Sequence, residues 1–304
     1  MKREIRIPIQ EKLERVRAEL DLDFQTFGSR LDLTESAYRR FIADPTSPIS
    51  KLPLGRLAEE TGLTSHFFDA DNLDFRAELH HLHSERALPK QYLNKSTSRL
   101  RSVISILDGV EDLFNWRLRK SILKNVGLSE GMLKSPLQEC SIQLGEDICN
   151  SLIEDHGFSS ERLFWLGAYS SVTYQDSPES QVLKTASAPS DIYERIFPDL
   201  ISKFERHHSF RVLSKSEESI HVALVPRPES VDLNGSHRFG GSVMCEIRAG
   251  VIASLPAYLG HGIAHINKMS CVHWGAPYCS YEIELDHLNR SWKNKAHSLE
   301  SACS

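Results

Sequence analysis

Three of the chain's six cysteines fall in one run, CEIRAGVIASLPAYLGHGIAHINKMSCVHWGAPYC, from Cys245 to Cys279. Cys271 lies 26 residues after Cys245, and Cys279 another 8 on, so a helix-sized insert separates the first cysteine from a close pair. The pair flanks Gly275, Ala276 and Pro277, a tight turn by composition, because Gly admits positive φ and Pro fixes its own. Tyr278 to Leu285 then alternates in the manner of a strand, and Ile247 to Leu259 has helical content with a break around Gly260 and Gly262. The residues alone allow two readings, a thiolate cage or a buried corner, since free cysteine is an ordinary core residue. For the cage, zinc takes thiolate and imidazole in a tetrahedron, and Cys245, Cys271 and Cys279 with His221 supply four ligands. Cys271 and His273 are spaced to share a strand face, but neither an orienting group nor an oxyanion site accompanies them. No catalytic residue is therefore assigned, and the chain is expected not to be an enzyme.

The order Cys245, Gly250, apolar helix, Gly260, then Cys271 and Cys279 around a turn resembles the vinyl-reductase-type ligand-sensing domain of bacterial regulators. The resemblance implies a structural zinc held by the three cysteines beside an effector pocket. That family completes the set with a Glu in the upstream strand, and here His221 stands near that place, with Glu217 and Glu218 a little earlier.

At 304 residues the chain is long enough for two domains, each with its own core. Its apolar share of 40 % and charged share of 25 % exclude a disordered or fibrous chain. No run is read as long enough to span a bilayer, and MKREIRIPIQEKLERVRAEL carries charge where a signal peptide needs an apolar core. A cytoplasmic location with no membrane partner is expected, so the cysteines are read as thiols or metal ligands. A net charge of −5 argues against indiscriminate nucleic-acid binding.

Residues 1–75 read as a helical unit. Leu13, Val16 and Leu20 share a helix face; Phe24, Phe27, Gly28 and Leu31 point inward; Thr34 caps a helix running to Phe41 and ending near Pro45. Leu54 to Leu63 forms another helix, and Phe67-Phe68 closes the core. Two short helices joined by a short turn, with a small residue where they touch, describe a helix-turn-helix. The layout is similar to the Cro/CI-type repressor domain. By that resemblance Thr34, Glu35, Ser36 and Arg39 would face a major groove, with Arg40 near phosphate.

Residues 76–94 are a charged connector with its joint at Pro89; His80, His81 and His83 cluster there and are read as surface histidines. The sensing domain is expected over 95–285, with a helical lead-in over 95–170 and an α+β part over 171–285. In the lead-in Leu100, Val103, Ile104, Leu107, Val110, Leu113 and Phe114 recur at helical intervals, and Ile142 to Ile153 adds another amphipathic helix. Phe164 to Thr173 is open between helix and strand. QDSPESQVLKTASAPSD is a loop or hinge by composition. Ile192 to His207 reads as a helix, followed by strands at Phe210–Ser214 and Ile220–Pro226. The tail, 286–304, is polar.

The expected fold is thus a mainly α N-terminal helix-turn-helix domain followed by an α+β sensory domain with a small antiparallel sheet. The expected function is a ligand-responsive transcription regulator, a homodimer on double-stranded DNA, with a small apolar effector held among Phe164, Trp165, Tyr169, Tyr258 and Trp274. The alternatives are a sensory or adaptor protein whose first domain binds protein, and a vinyl-reductase-like enzyme or assembly factor.

Overall fold

The structure, a computed structural model, describes residues 7–63, 67–69, 78–79, 82, 87–236 and 238–285. His80, His81, His83 and the tail from 286 lie outside the described residues. The chain divides into two compact units, Met1–Arg86 with Glu130–Lys134, and Ala87–Ser129 with Ser135–Ser304.

In the first unit, α1 (Ile9–Glu19), α2 (Phe24–Arg30), α3 (Glu35–Ala43) and α4 (Lys51–Thr61) follow one another. The starts of α2 and α3 are written in the sequence. The Asp23 carboxylate accepts the amide N–H of Thr26, and the Thr34 hydroxyl accepts that of Ala37, so first-turn donors that a helix leaves orphaned are satisfied. Leu13, Val16, Phe27, Leu31, Tyr38, Phe41 and Leu57 bury their side chains in one core. Polar groups admitted to it are paired: the Tyr38 hydroxyl donates to Glu14, and the Lys12 ammonium to the carbonyls of Phe67 and Phe68.

The second unit opens with β1 (Ser96–Arg99), α5 (Leu100–Leu113) and α6 (Trp116–Asn125). Next come β2 (Glu139–Ser141), α7 (Ile142–Glu154), α8 (Ser160–Ala168), α9 (Pro178–Leu183) and α10 (Phe197–Ile201). The last part is β3 (His208–Lys215), β4 (Ser219–Pro226), α11 (Ser242–Ala253), β5 (His265–Ser270) and β6 (Cys279–Glu284). Both sheets are antiparallel: β1 pairs with β2, and the larger sheet has the order β3-β4-β6-β5. This is an α+β unit. Leu100, Val103, Leu107, Val110 and Leu113 of α5 are all buried, as their three-to-four spacing requires. Ile220, Val222 and Leu224 of β4 and Tyr281 and Ile283 of β6 face one core with Ala249 and Ile252 of α11.

Helices α8 and α11 meet at bare backbone. A Cβ on Gly250 would stand 1.9 Å from the carbonyl oxygen of Phe164, and one on Gly167 would stand 2.0 Å from that of Ile247. Each helix therefore lays a glycine against the other's main chain, an approach closer than any side chain allows.

Four details differ from the sequence reading or resolve it. Phe164 to Thr173 is helical, in α8 and a short turn at Ser170–Thr173. Ile192 to His207 is not one helix. A π-turn spans Ile192–Ile196 before α10, because Pro198 has no N–H to offer the carbonyl four residues back. Strand β5 was not expected at all. Finally, Ser242–Leu259 does reach bilayer-spanning length and composition, 18 residues at mean hydropathy 1.2, and 61 % of it is buried. Its apolarity is that of a core helix enclosed on both sides, by α8 and by the sheet.

Candidate functional site

Within the second unit the helices leave a cavity of about 140 Å³. Ser105 and Ile106 of α5, Leu166 and Gly167 of α8, Leu183 of α9, Leu200 and Ile201 of α10, and Ile247, Val251 and Ile252 of α11 line it, with Leu224 of β4. Most of the wall is therefore hydrocarbon, the usual character of a small-molecule site. Two charged pairs interrupt it.

The first is Arg101 with Glu179. Their side chains form two parallel bonds, at 2.8 and 3.2 Å, and the guanidinium lies over the rings of Tyr174 and Phe204, at 4.7 and 4.5 Å from their centroids. The planar fork of arginine suits both the carboxylate and the ring faces. Arg101 holds the Glu179 carboxyl below the usual carboxylate range through these bonds. Tyr174 donates to the Arg101 carbonyl and Tyr258 to that of Ser170, so both phenols on the lining are satisfied. Ser177, Glu179, Ser180 and Leu183 come from the Ser/Pro-rich segment, which is thus a wall of the cavity rather than a free loop.

The second pair is Glu205 with Arg248, and it is buried. Arg248 donates to the Phe239 carbonyl and, at 3.0 Å, to Nε2 of His207; His207 turns Nδ1 to the carbonyl of Thr97 at 3.2 Å. Oε2 of Glu205 stands 3.2 Å from Nε2 of His207, 3.4 Å from Nε of Arg248 and 3.8 Å from Nδ1 of His208. Each separation is longer than the 2.7–2.9 Å typical of a charge-assisted bond. Nε of Arg248 and Nδ1 of His208 make no hydrogen bond. Burial works to raise the Glu205 carboxyl, yet Arg248 and His207 outweigh it and hold the group well below its ordinary range. Burial pushes His208 down to about 3, against the pull of the nearby Glu205, so its imidazole is neutral at pH 7. The sequence carries little warning of this group: its members come from separate segments, and only the His207-His208 doublet and an arginine in an apolar helix hint at it.

Of the aromatic residues expected around an effector, Tyr258 lines the cavity. Phe164 and Trp165 stack edge to face on α8, the Tyr169 hydroxyl donates to Asp112, and Trp274 is 66 % exposed beneath Lys268. Main-chain geometry, and not aromatic character, decides which residues reach the cavity.

The three cysteines of the long run do converge. Their sulfurs are 3.6, 3.8 and 3.9 Å apart, all buried. A hydrogen bond with Cys245 lowers the Cys279 thiol, and the same bond helps hold Cys245 up. His221 is not with them. In the antiparallel register Cys279 pairs with Leu224 and Glu282 with His221. An offset of three along β6 puts His221 on the other face of the sheet. The expected four-ligand zinc set of Cys245, Cys271, Cys279 and His221 is therefore not formed, and the zinc reading is withdrawn in favour of a buried corner of thiols.

The residues expected to read DNA are also otherwise engaged. Arg39 is paired with Glu35 at 2.8 Å and lies 4.0 Å over the Phe24 ring, while the Thr34 hydroxyl is spent on its cap beside Ser36. Arg40 is exposed at the last turn of α3.

No family model matches the chain, and none of the curated proteins is similar to it. Among solved structures it is similar to H-NOX proteins. An H-NOX protein from S. oneidensis in the Fe(II)NO ligation state has 13 % identity and a TM-score of 0.46, covering 62 % of this chain and 99 % of that one. A Fe(II) unliganded H-NOX protein from K. algicida has 16 % identity and a TM-score of 0.44, over 61 % and 95 %. An oxygen-binding H-NOX domain related to soluble guanylate cyclases has 11 % identity and a TM-score of 0.45, over 60 % and 93 %. These findings overturn the resemblance to a Cro/CI-type repressor fused to a vinyl-reductase-type domain, and with it the helix-turn-helix, DNA-binding and zinc assignments. At such TM-scores they bring no ligand to this chain. Nor does the cavity suit a heme: among the described residues no His or Cys is on its lining, and its volume is that of a benzene-sized cavity, far short of a macrocycle.

Proposed function

We propose that the second unit is a receptor for a small apolar molecule and that the chain is a ligand-responsive sensor. One observation carries the reading: an apolar cavity of about 140 Å³ lies wholly inside one unit, walled by five helices and a strand. A guest there touches elements far apart in the chain, so its binding free energy is available to favour one arrangement of them. The lining brings together no nucleophile, base and orienting group, and we read the unit as a receptor, not an enzyme.

Toluene is a suitable first probe. A ligand bound only to the folded state at a hundredfold its Kd stabilises by about 2.7 kcal/mol, a shift readily seen in thermal denaturation. Val251, on the cavity wall, gives the control. Val251→Phe is expected to place its ring in the cavity, keep the fold and lose the response to toluene. An unchanged melting temperature of the unsubstituted protein across a saturating toluene series would contradict the receptor reading.

A further inference from the structure

The pair formed by Glu205 and Arg248 is a buried ionic feature of the cavity wall, and it is incompletely satisfied. Arg248 is 6 % exposed and its Nε makes no hydrogen bond; the nearest oxygen, of Glu205, is 3.4 Å away. Nδ1 of the buried His208 is likewise without one. A buried donor left unpaired costs about 1–3 kcal/mol, and native structures rarely carry such a cost without water or a ligand to relieve it. With His208 neutral, one carboxylate faces one guanidinium, so the pair is balanced in charge. The wall around it is mostly apolar.

We infer, building on the receptor reading, that the cavity's ligand is an uncharged, single-ring-sized molecule with one hydroxyl-like group that accepts from Arg248 and donates to Glu205. Three properties of the site select it. The volume of about 140 Å³ admits a body close to benzene in size. The balanced pair penalises an ionised guest, because a carboxylate meets Glu205 and an ammonium meets Arg248 with no counter-charge left for either. The unfilled donor beside a loosely held carboxylate rewards a group that both accepts and donates, which a plain hydrocarbon lacks.

The test uses the full chain and four ligands that share one ring, titrated by calorimetry at pH 7: toluene, benzyl alcohol, benzoate and benzylamine. Benzyl alcohol is expected to bind about tenfold or more tightly than toluene, the gain of a hydrogen bond to a charged group. Benzoate and benzylamine are expected to bind more weakly than toluene. Glu205→Gln keeps the shape but leaves Arg248 without its counter-charge, and in that variant benzoate is expected to overtake benzyl alcohol. If Glu205→Gln does not fold, the ranking in the unsubstituted protein decides alone. Toluene binding as tightly as benzyl alcohol, or benzoate binding tightest, overturns the inference while leaving the receptor reading intact. Failure of all four to bind removes both.

Discussion

Replacing Gly250 by alanine tests the backbone contact on which the second unit's helical layer is built. A Cβ at that position would lie 1.9 Å from the Phe164 carbonyl oxygen and 2.7 Å from the Ala168 nitrogen. Both are main-chain atoms of a helix, so no side chain can swing aside, and α8 and α11 must separate by about 1 Å to restore a tolerable contact. A gap of that size forfeits about a quarter to a half of the dispersion energy of the atoms facing it. Overpacking alone costs roughly 1–3 kcal/mol, and alanine returns about 0.5–1 kcal/mol through its lower conformational entropy in a helix. With the lost dispersion added, the net expectation is a loss of about 2 kcal/mol or more. Gly55 on α4 is the matched control, since nothing lies within 4 Å of a Cβ there, and Gly55→Ala should gain about 0.5–1 kcal/mol. The chain's four tryptophans, Trp116, Trp165, Trp274 and Trp292, all fall after Arg86 and outside Glu130–Lys134. Urea unfolding followed by tryptophan fluorescence therefore reads Gly250→Ala, and far-UV circular dichroism reads Gly55→Ala. If Gly250→Ala left the fluorescence midpoint unchanged or raised it, the close crossing would be refuted.

Two further expectations follow from buried charge. His208 has a folded-state pKa of about 3, below the ordinary 6.5, so unfolding takes up a proton on acidification. Stability is then full above pH about 6.5 and falls toward pH 3 with a limiting slope of about 1.4 kcal/mol per pH unit; Glu205, also held low, extends the loss in the same direction at the acid end. Urea midpoints measured from pH 7.5 to 4 should show this slope, and His208→Gln should flatten its upper part. Arg119, with a side chain 5 % exposed, bonds Asp108 at 2.6 Å and stands 3.7 Å from Glu111, both nearly buried. Arg119→Leu strands those carboxylates and should cost about 3–5 kcal/mol in chemical denaturation, with Asp108→Asn in the same chain recovering part of it; a loss under about 1 kcal/mol would show the pair to be solvated.

Much of the architecture was legible in local pattern. The α5 periodicity, the caps at Asp23 and Thr34, and the β3–β4 hairpin all depend on residues within a turn or two of one another, where propensity and spacing act directly. Strand β5 was not legible because its sequence, HINKMS, is polar at an edge and owes its conformation to β6, whose own pattern supplies the ladder. The convergence of three cysteines was legible from their spacing, while the fourth ligand was misplaced because sequence distance does not reveal which face of a sheet a residue takes. Glu205 and Arg248 lie 43 positions apart and neither belongs to a motif, so only the packed fold brings out their pairing. The cavity itself is what the side chains fail to fill, a property of no single segment.

The glycine seam between α8 and α11 bears on what kind of guest chamber this is. Gly167 and Ile247 belong both to the seam and to the cavity lining. Ribs that already touch spine to spine cannot be pressed closer around an undersized visitor, so along that side the chamber's gauge is cast when the chain folds. Any give has to come from the opposite flank, where the serine-rich strip carrying Glu179 is fastened to Arg101 by a clasp of two bonds.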